Sequence, residues 1–424
     1  MSPTLSLEGG GQARGARERK VTVGTAERPS DAYHRTRLSR ARWAVGAIFF
    51  QQGVLVGGWA LQIPVQLDRL GITESIMGLL IVAFGLGSIA AMLAMGPVID
   101  RTGSRRATRW AGLGTAPFLF LVNLTPDVWT TGALLVVVGA LIGVIDVAMN
   151  ANAVEVERRY GRAIMSSFHA YWSLGTLFGA LVSGPIIVWI GGAGHGMAFL
   201  AILAALSLFA WPHFVRERLS NHEEKVPFRL PRVPVVWILG AVCLFAYVPE
   251  GAAIDWSALY MREEIGTPLA LAGLALAGMQ VTMTAMRFAG DRIRDRIGAE
   301  ATLRWGGIVS AVGLVLVGLA GTGIAAEWTV SVRAAVVVTG FLVTGIGLAN
   351  IVPVAFAASG SIPGVPAGTA LSIIAMHGYA GILLAPSVIG WAGEHIGFGP
   401  VYAMVAVLPL SAALLARAAQ PGRT

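Results

Sequence analysis

Charge is scarce in this chain. Of its 424 residues only 13% are Asp, Glu, Lys or Arg while 55% are hydrophobic, and the mean hydropathy is +0.69. Soluble domains carry about 25% charged residues, so a water-soluble globular protein is excluded and most of the chain must lie in lipid. Cys243 is the sole cysteine, which excludes an intramolecular disulfide. The sequence has no His-Glu-x-x-His metal site, no phosphate-binding glycine loop and no nucleophile accompanied by a base, so neither an enzyme nor a cofactor is expected. It also lacks a short apolar leader. The first apolar run follows about forty polar residues and is long enough to span, which predicts retention as a membrane segment.

Long apolar runs are what the chain has in abundance. A span needs roughly 20 apolar residues to cross a hydrocarbon core of about 30 Å. Twelve such segments lie near 43–66, 75–99, 110–126, 128–155, 163–190, 196–215, 233–257, 268–289, 305–325, 334–358, 368–392 and 397–416. Residues 1–40, rich in Gly, Arg and Ser, read as a disordered cytoplasmic tail. The polar stretch 216–232 reads as a linker between six-helix bundles at 41–215 and 233–417, with a short tail at 418–424.

With the N-terminus inside, 28 of the 31 Lys and Arg fall on the cytoplasmic side, and only Arg69, Arg262 and Arg333 fall outside. The positive-inside rule predicts that orientation, with both termini cytoplasmic in a cell membrane. The net charge of +8 is then topological, and no nucleic-acid partner is expected.

The two halves repeat. Gly96-Pro-Val-Ile-Asp100-Arg101-Thr-Gly103-Ser-Arg105-Arg106 joins spans two and three, and Asp295-Arg296-Ile297-Gly298 returns in the same setting after span eight, with Asp291 where Gly96 stood. Trp59 matches Trp256, Asn150 matches Asn350, and His169-Ala-Tyr171 matches His377-Gly-Tyr379; with Asp100 and Asp295 the offsets run 197, 195, 200 and 208. An acid beside clustered arginines, with glycine for a tight turn, suits a breakable latch between helices at a membrane surface. Gly96, Asp100, Arg101, Gly103, Arg105, Arg106, Asp291, Asp295, Arg296 and Gly298 are therefore expected at the cytoplasmic gate, with Arg287 paired to Asp291 or Asp295.

This loop at this spacing, inside a parallel duplication of six spans, resembles the signature of the major facilitator superfamily. Ile145-Asp146-Val-Ala-Met-Asn150 with Arg162-Ala-Ile-Met-Ser-Ser-Phe-His169-Ala-Tyr-Trp172 is similar to the fucose:proton symporter branch and its uncharacterised bacterial relatives. The resemblance implies an all-α membrane fold of two pseudo-symmetric six-helix bundles, with a substrate site between them near mid-membrane. In the fucose carriers the Asp146 position is a protonatable glutamate, and a further aspartate stands in span one. Span one here has Gln51, Gln52, Trp59, Gln62 and Gln66 but no acid, so sugar specificity does not carry over.

Away from their ends the spans hold only three charged residues, Asp146, Glu250 and Asp255. Acids in a membrane interior are costly and usually functional. Asp146 and Glu250 are the expected proton-coupling groups, with a structural acid as the alternative for each. Asp255 is expected nearer the interface, solvated, and Pro249 with Gly251 marks a hinge in span seven. Gln52, Trp59, Gln62, Asn150, His169, Trp172, Asn350 and His377 are the candidate substrate contacts, against the alternative that each bonds a neighbouring helix. With no Arg or Lys deep in a span, the cavity suits a small neutral or cationic solute. A secondary transporter follows from these readings, working as a monomer by alternating access and coupled to protons in symport. Its rivals are a proton-coupled efflux antiporter, towards which Gly184-Pro185 points weakly, and a non-transporting sensor.

Overall fold

The computed structural model describes residues 29–161, 164–216, 232–359, 362–365 and 367–420. Residues 217–231 of the expected linker, and residues 1–28 and 421–424 of the expected tails, lie outside the described residues.

The described chain is helical. Numbered by span, α1 is Pro29–Leu70, α2 Glu74–Thr102, α3 Ser104–Thr115 continued by Phe118–Leu121, and α4 Val128–Tyr160. One helical run, Met165–Ala210, is broken at Gly191 into α5 (165–190) and α6 (192–210). In the second half α7 is Pro234–Leu259, extended by a π turn over Tyr260–Glu264, and α8 is Leu274–Ile297. Then come α9 Ala299–Leu319, α10 Val330–Leu348 continued by Ile351–Ser359, α11 Ala367–Ile396, and α12 Phe398–Val405 continued by Val407–Leu414. Eight of the helical stretches are long and apolar enough to cross a membrane. Counting α5 and α6 apart, and adding α3, α11 and α12, gives the twelve spans. Because α1 starts at Pro29, residues 29–40 continue span one as helix and are not part of a disordered tail.

Four glycines set the turns. Gly103 between α2 and α3, Gly191 between α5 and α6, Gly298 between α8 and α9 and Gly397 between α11 and α12 have φ of 78°, 75°, 82° and 82° with ψ of 154°, 170°, 165° and 153°. A Cβ disfavours that region, so glycine is needed wherever one helix passes straight into the next. Elsewhere side chains do the capping. Asp127 forms a capping box with Thr130 at the start of α4, and the Thr130 backbone N–H holds its carboxyl below the usual carboxylate range. Glu157 accepts from the backbone N–H groups of Ile164 and Met165 at 2.7 Å each, capping α5.

The two halves pack by one scheme. α1 lies on α5, α2 on α4 and α3 on α6; likewise α7 lies on α11, α8 on α10 and α9 on α12. Between α1 and α5 the backbones touch directly. A Cβ on Gly53 would stand 2.0 Å from the Trp172 carbonyl oxygen, and one on Gly175 would stand 2.1 Å from that of Phe50. Between α2 and α4 a Cβ on Gly139 would stand 2.0 Å from the Phe84 carbonyl oxygen. Lipid offers no hydrophobic drive for helices to associate, so close packing of small residues supplies much of it.

The halves meet through α2 on α11, α5 on α8 and α1 on α7. Among the described residues, close backbone approaches between them lie toward the end that carries Asp68. There Gly78 faces Pro386 and Ser387, Gly273 faces the Ala180 carbonyl, and Gly184 faces that of Leu269. Arg262 pairs with Asp68 at 2.6 Å, and the Ser75 backbone N–H donates to Glu394 at 3.1 Å.

Gly175→Ala is expected to destabilise the protein by about 1–3 kcal/mol through overpacking. Gly323, whose Cβ would meet nothing within 4 Å, is the control. Thermal unfolding of both variants in detergent measures the difference; equal melting temperatures would remove the backbone contact from the account.

Candidate functional site

The glutamines of α1 turn into the first bundle. Gln51 donates to the Gly112 carbonyl at 2.7 Å and accepts from Ser207 at 2.7 Å, and Gln52 donates to Thr115 at 3.4 Å. Gln62 donates to the Gly192 carbonyl at 3.0 Å and to Nδ1 of His195 at 2.8 Å. Because Nδ1 accepts, the proton of a neutral His195 lies on Nε2, which donates to Ser183 at 2.8 Å. Gln66 and Asn123 both donate to the Gln62 carbonyl oxygen, at 3.1 and 3.2 Å, and Arg69 closes the chain on Gln66 at 2.8 Å. This network joins α1, α3, α5 and α6 inside one half. Both Gln52 and Gln62 are buried inside this half and not, as expected, in an open cavity between the halves; the amide of Gln62 is taken up by neighbouring helices, whereas Oε1 of Gln52 has no partner among the described residues. His195 and Asn123 escaped the sequence reading; a histidine in span six level with a glutamine stripe in span one was the available signal.

The second polar centre crosses the interface. Nη2 of Arg287 on α8 meets Glu250 of α7 at 3.2 Å, and Nη1 donates to Oγ of Ser173 on α5 at 2.8 Å. Ser173 belongs to the first half, so one guanidinium binds an acid of its own half and a hydroxyl of the other. This overturns two expectations. Arg287 turns to Glu250 and makes no ion pair with Asp295, because its long side chain leans back toward the start of α8 and into the bundle; the side chain of Asp291 lies outside the described residues. An arginine therefore does lie deep in a span, which removes the premise for preferring a neutral or cationic solute.

The other candidates gather loosely around this pair. His169, one turn before Ser173, is exposed, stacks edge-on against Phe49 at 5.3 Å and feels the Arg287 charge. Trp172 is half-buried beside it. Asp146 accepts from Asn150 of its own helix, at 2.8 Å on the carbonyl and 3.4 Å on the carboxylate. Asn350 does something else: it donates to the Met286 carbonyl at 3.2 Å and packs on Gly290, tying α10 to α8. His377 donates through Nδ1 to the Ile373 carbonyl at 2.8 Å and lies edge-on to Trp237 against Gly240. Trp59 packs on Phe118 within the first half, and its sequence match Trp256 is fully buried on Phe398. Asp255 is 9% exposed with no hydrogen-bond or ion-pair partner among the described residues. The π turn beyond it carries α7 further, so it sits inside the fold and not at the solvated interface expected of it.

At the opposite end from Asp68, Gly103 and Gly298 make the turns described above, while Asp295, Arg296 and Arg106 are exposed and Arg105 is half-buried. The surroundings of Gly96 and the side chains of Asp100, Arg101 and Asp291 lie outside what the structure describes. Among the described residues the polar contacts between the halves are Asp68 with Arg262, Ser75 with Glu394, and Ser173 with Arg287. The first two are latches that the sequence reading did not find.

Twelve spans in two alike halves, with a charged pair at their interface, define a multi-pass membrane transporter. The family model of the Major Facilitator Superfamily matches residues 46–341, and the chain belongs to that family. It is 34% identical over 377 residues to an uncharacterised MFS-type transporter of Yersinia pestis, covering 87% of this chain and 93% of that one. It is 29% identical to the uncharacterised transporter y4wD of Sinorhizobium fredii, over 88% and 96% of the two chains, and 27% identical to the membrane protein MosC of Rhizobium meliloti, over 84% of each. Crystal structures of the nucleoside transporter NupG share its fold. A point mutant superposes with a TM-score of 0.71 and the unmutated protein with 0.65, at 13% and 14% identity, each over 89% of this chain and 98% of the other.

Gln62→Leu and His195→Ala are each expected to cost about 1–3 kcal/mol of stability, since each leaves buried groups unpaired. Together they should cost clearly less than the sum, as members of one network do. A double-mutant cycle of unfolding in detergent tests this; strict additivity would place the two residues in separate environments.

Proposed function

We propose that the protein is a proton-coupled secondary transporter of a small polar solute, working by alternating access with symport as its direction. The observation that carries this reading is the Glu250–Arg287–Ser173 contact. Arg287 holds one hand on the carboxylate and the other on the opposite half, so a proton on Glu250 changes what the guanidinium holds at the surface where the halves must part. Removing one partner of a buried ion pair costs about 3–5 kcal/mol, enough to bias two conformations of similar energy.

Asp146 is the second proton site of this scheme. It stands on α4 of the first half, one turn from Asn150, while Glu250 belongs to the second, so each moving body holds one acid. The solute binds between them, within reach of His169, Trp172 and Arg287. With the positive-inside orientation the Asp68 end is extracellular. The latches Asp68–Arg262 and Ser75–Glu394 would then close the outside, which supports reading this arrangement as outward-closed. An efflux antiporter would use the same groups with the opposite flux, and a sensor would bind solute without moving it.

Purified protein in liposomes with an imposed pH gradient tests the reading. Asp146→Asn should abolish proton-driven accumulation while keeping exchange of solute down its own gradient, and Glu250→Gln should reduce both. Undiminished accumulation by Asp146→Asn would sink the coupling role of Asp146, and proton movement opposite to the solute would turn the assignment to antiport.

A further inference from the structure

Arg287 is incompletely used. Of the five N–H donors of a guanidinium, one goes to Ser173 and one to Glu250, leaving three without a partner among the described residues. Its hold on Glu250 is a single contact at 3.2 Å, whereas a well-seated arginine–carboxylate pair is forked and closes to about 2.7–2.9 Å. The side chain is 20% exposed, so it is not sealed off by its neighbours.

Two further groups lack partners nearby. Gln280 precedes Arg287 by seven residues on the same face of α8; it is fully buried, and neither its amide nitrogen nor its oxygen is bonded. Ser257 follows Glu250 by seven residues on the same face of α7, and its hydroxyl is likewise buried and unbonded. α7 and α8 run antiparallel, so both groups lie about 10 Å along the helices from the ion pair, toward the Asp68 end. An unpartnered amide in a membrane interior is costly. These groups offer mainly donors at one end, on Arg287, and both donors and acceptors at the other.

We infer that the carried solute is a small hydroxylated carboxylate, whose carboxylate takes the open fork of Arg287 in place of Glu250 and whose hydroxyls meet Gln280 and Ser257. This rests on the proton-coupled reading above and names its substrate class. A proton added to Glu250 removes one negative charge and the solute anion restores it, so the charge beside Arg287 is unchanged. Lower pH therefore favours binding. Besides Arg287, α7 carries Asp255 itself, and the elements packed on it bring His377 on α11 and no charged side chain from the membrane segments of α1 or α12. His169 lies beyond Arg287 on α5, and Asp146 on α4.

The test is binding by full-length protein in nanodiscs, read by thermal shift and tryptophan fluorescence at pH 6 and pH 8. The probes are glucuronate against glucose and lactate against 1,2-propanediol. At least one carboxylate should bind about 10- to 100-fold tighter than its neutral partner, and more tightly at pH 6. Arg287→Gln should erase the preference and Gln280→Leu should weaken carboxylate binding. Glu250→Gln should keep the preference but remove its pH dependence, which Asp146→Asn should leave in place. Should Arg287→Gln not fold, Arg287→Lys, which keeps the charge and loses the fork, should lower the preference about tenfold. A neutral partner that binds as tightly as its carboxylate, or a preference that survives Arg287→Gln, overturns the inference. Carboxylate binding without proton-driven accumulation would instead overturn the coupling reading and leave the substrate class standing.

Discussion

A hydrocarbon surround gives a polar group nothing to bond, and the architecture follows from that constraint. Backbone groups are satisfied within helices, and side-chain amides, hydroxyls and imidazoles must find one another inside a bundle. In the first half this yields a closed network from Arg69 through Gln66, Gln62 and His195 to Ser183. In the second half, toward the Asp68 end, it is not met: Ser257, Gln280 and the indole nitrogen of Trp256 are buried without partners. The first half also keeps buried atoms without a partner among the described residues, Oε1 of Gln52 and Oδ1 of Asn152, so the unmet demand is shared, and part of it lies on the helices that carry Glu250 and Arg287.

Glycine carries the second part of the design. Four turns of one conformation, at Gly103, Gly191, Gly298 and Gly397, recur between the second and third and between the fifth and sixth helices of each half. The sequence displayed two of them, because Asp-Arg-x-Gly and Asp-Arg-Ile-Gly stand out among charges. Gly191 and Gly397 are hidden among apolar residues. Other glycines let α1 meet α5 and α2 meet α4 backbone to backbone, and such contacts favour sliding of whole helices over bending.

Span number, duplication and family were legible because a period of some twenty apolar residues and a repeated charged loop survive any detail of packing. The site was legible only in part. Asp146, Glu250, His169 and Asn150 stood out because polar residues are rare in the spans. Their partners did not, since helical spacing ties Arg287 to Asp291 but says nothing of Glu250, which lies 37 residues away. The α1 stripe failed for a related reason: a periodic polar face marks what it must satisfy, not whether a solute or a neighbouring helix satisfies it. Matched residues also diverged. Asn150 bonds its own helix at Asp146, while Asn350 bonds across to α8 because Ile346 stands where the acid would be.

That divergence bears on coupling. Were both halves to keep the same acid, a proton would act alike on each and favour no direction of rocking. Here the first half holds Asp146 beside Asn150, and the second holds Glu250 beside an arginine that reaches back to Ser173 of the first. Glu250 bonds an arginine that spans the two halves, and Asp146 accepts from Asn150 of its own helix. Under the proposed coupling this asymmetry gives them different tasks: Glu250 would set whether the interface holds, and Asp146 would set the charge of the cavity that the interface encloses. Arg287 ties the two tasks together, because whatever replaces Glu250 on its guanidinium is held at the seam along which the halves must separate.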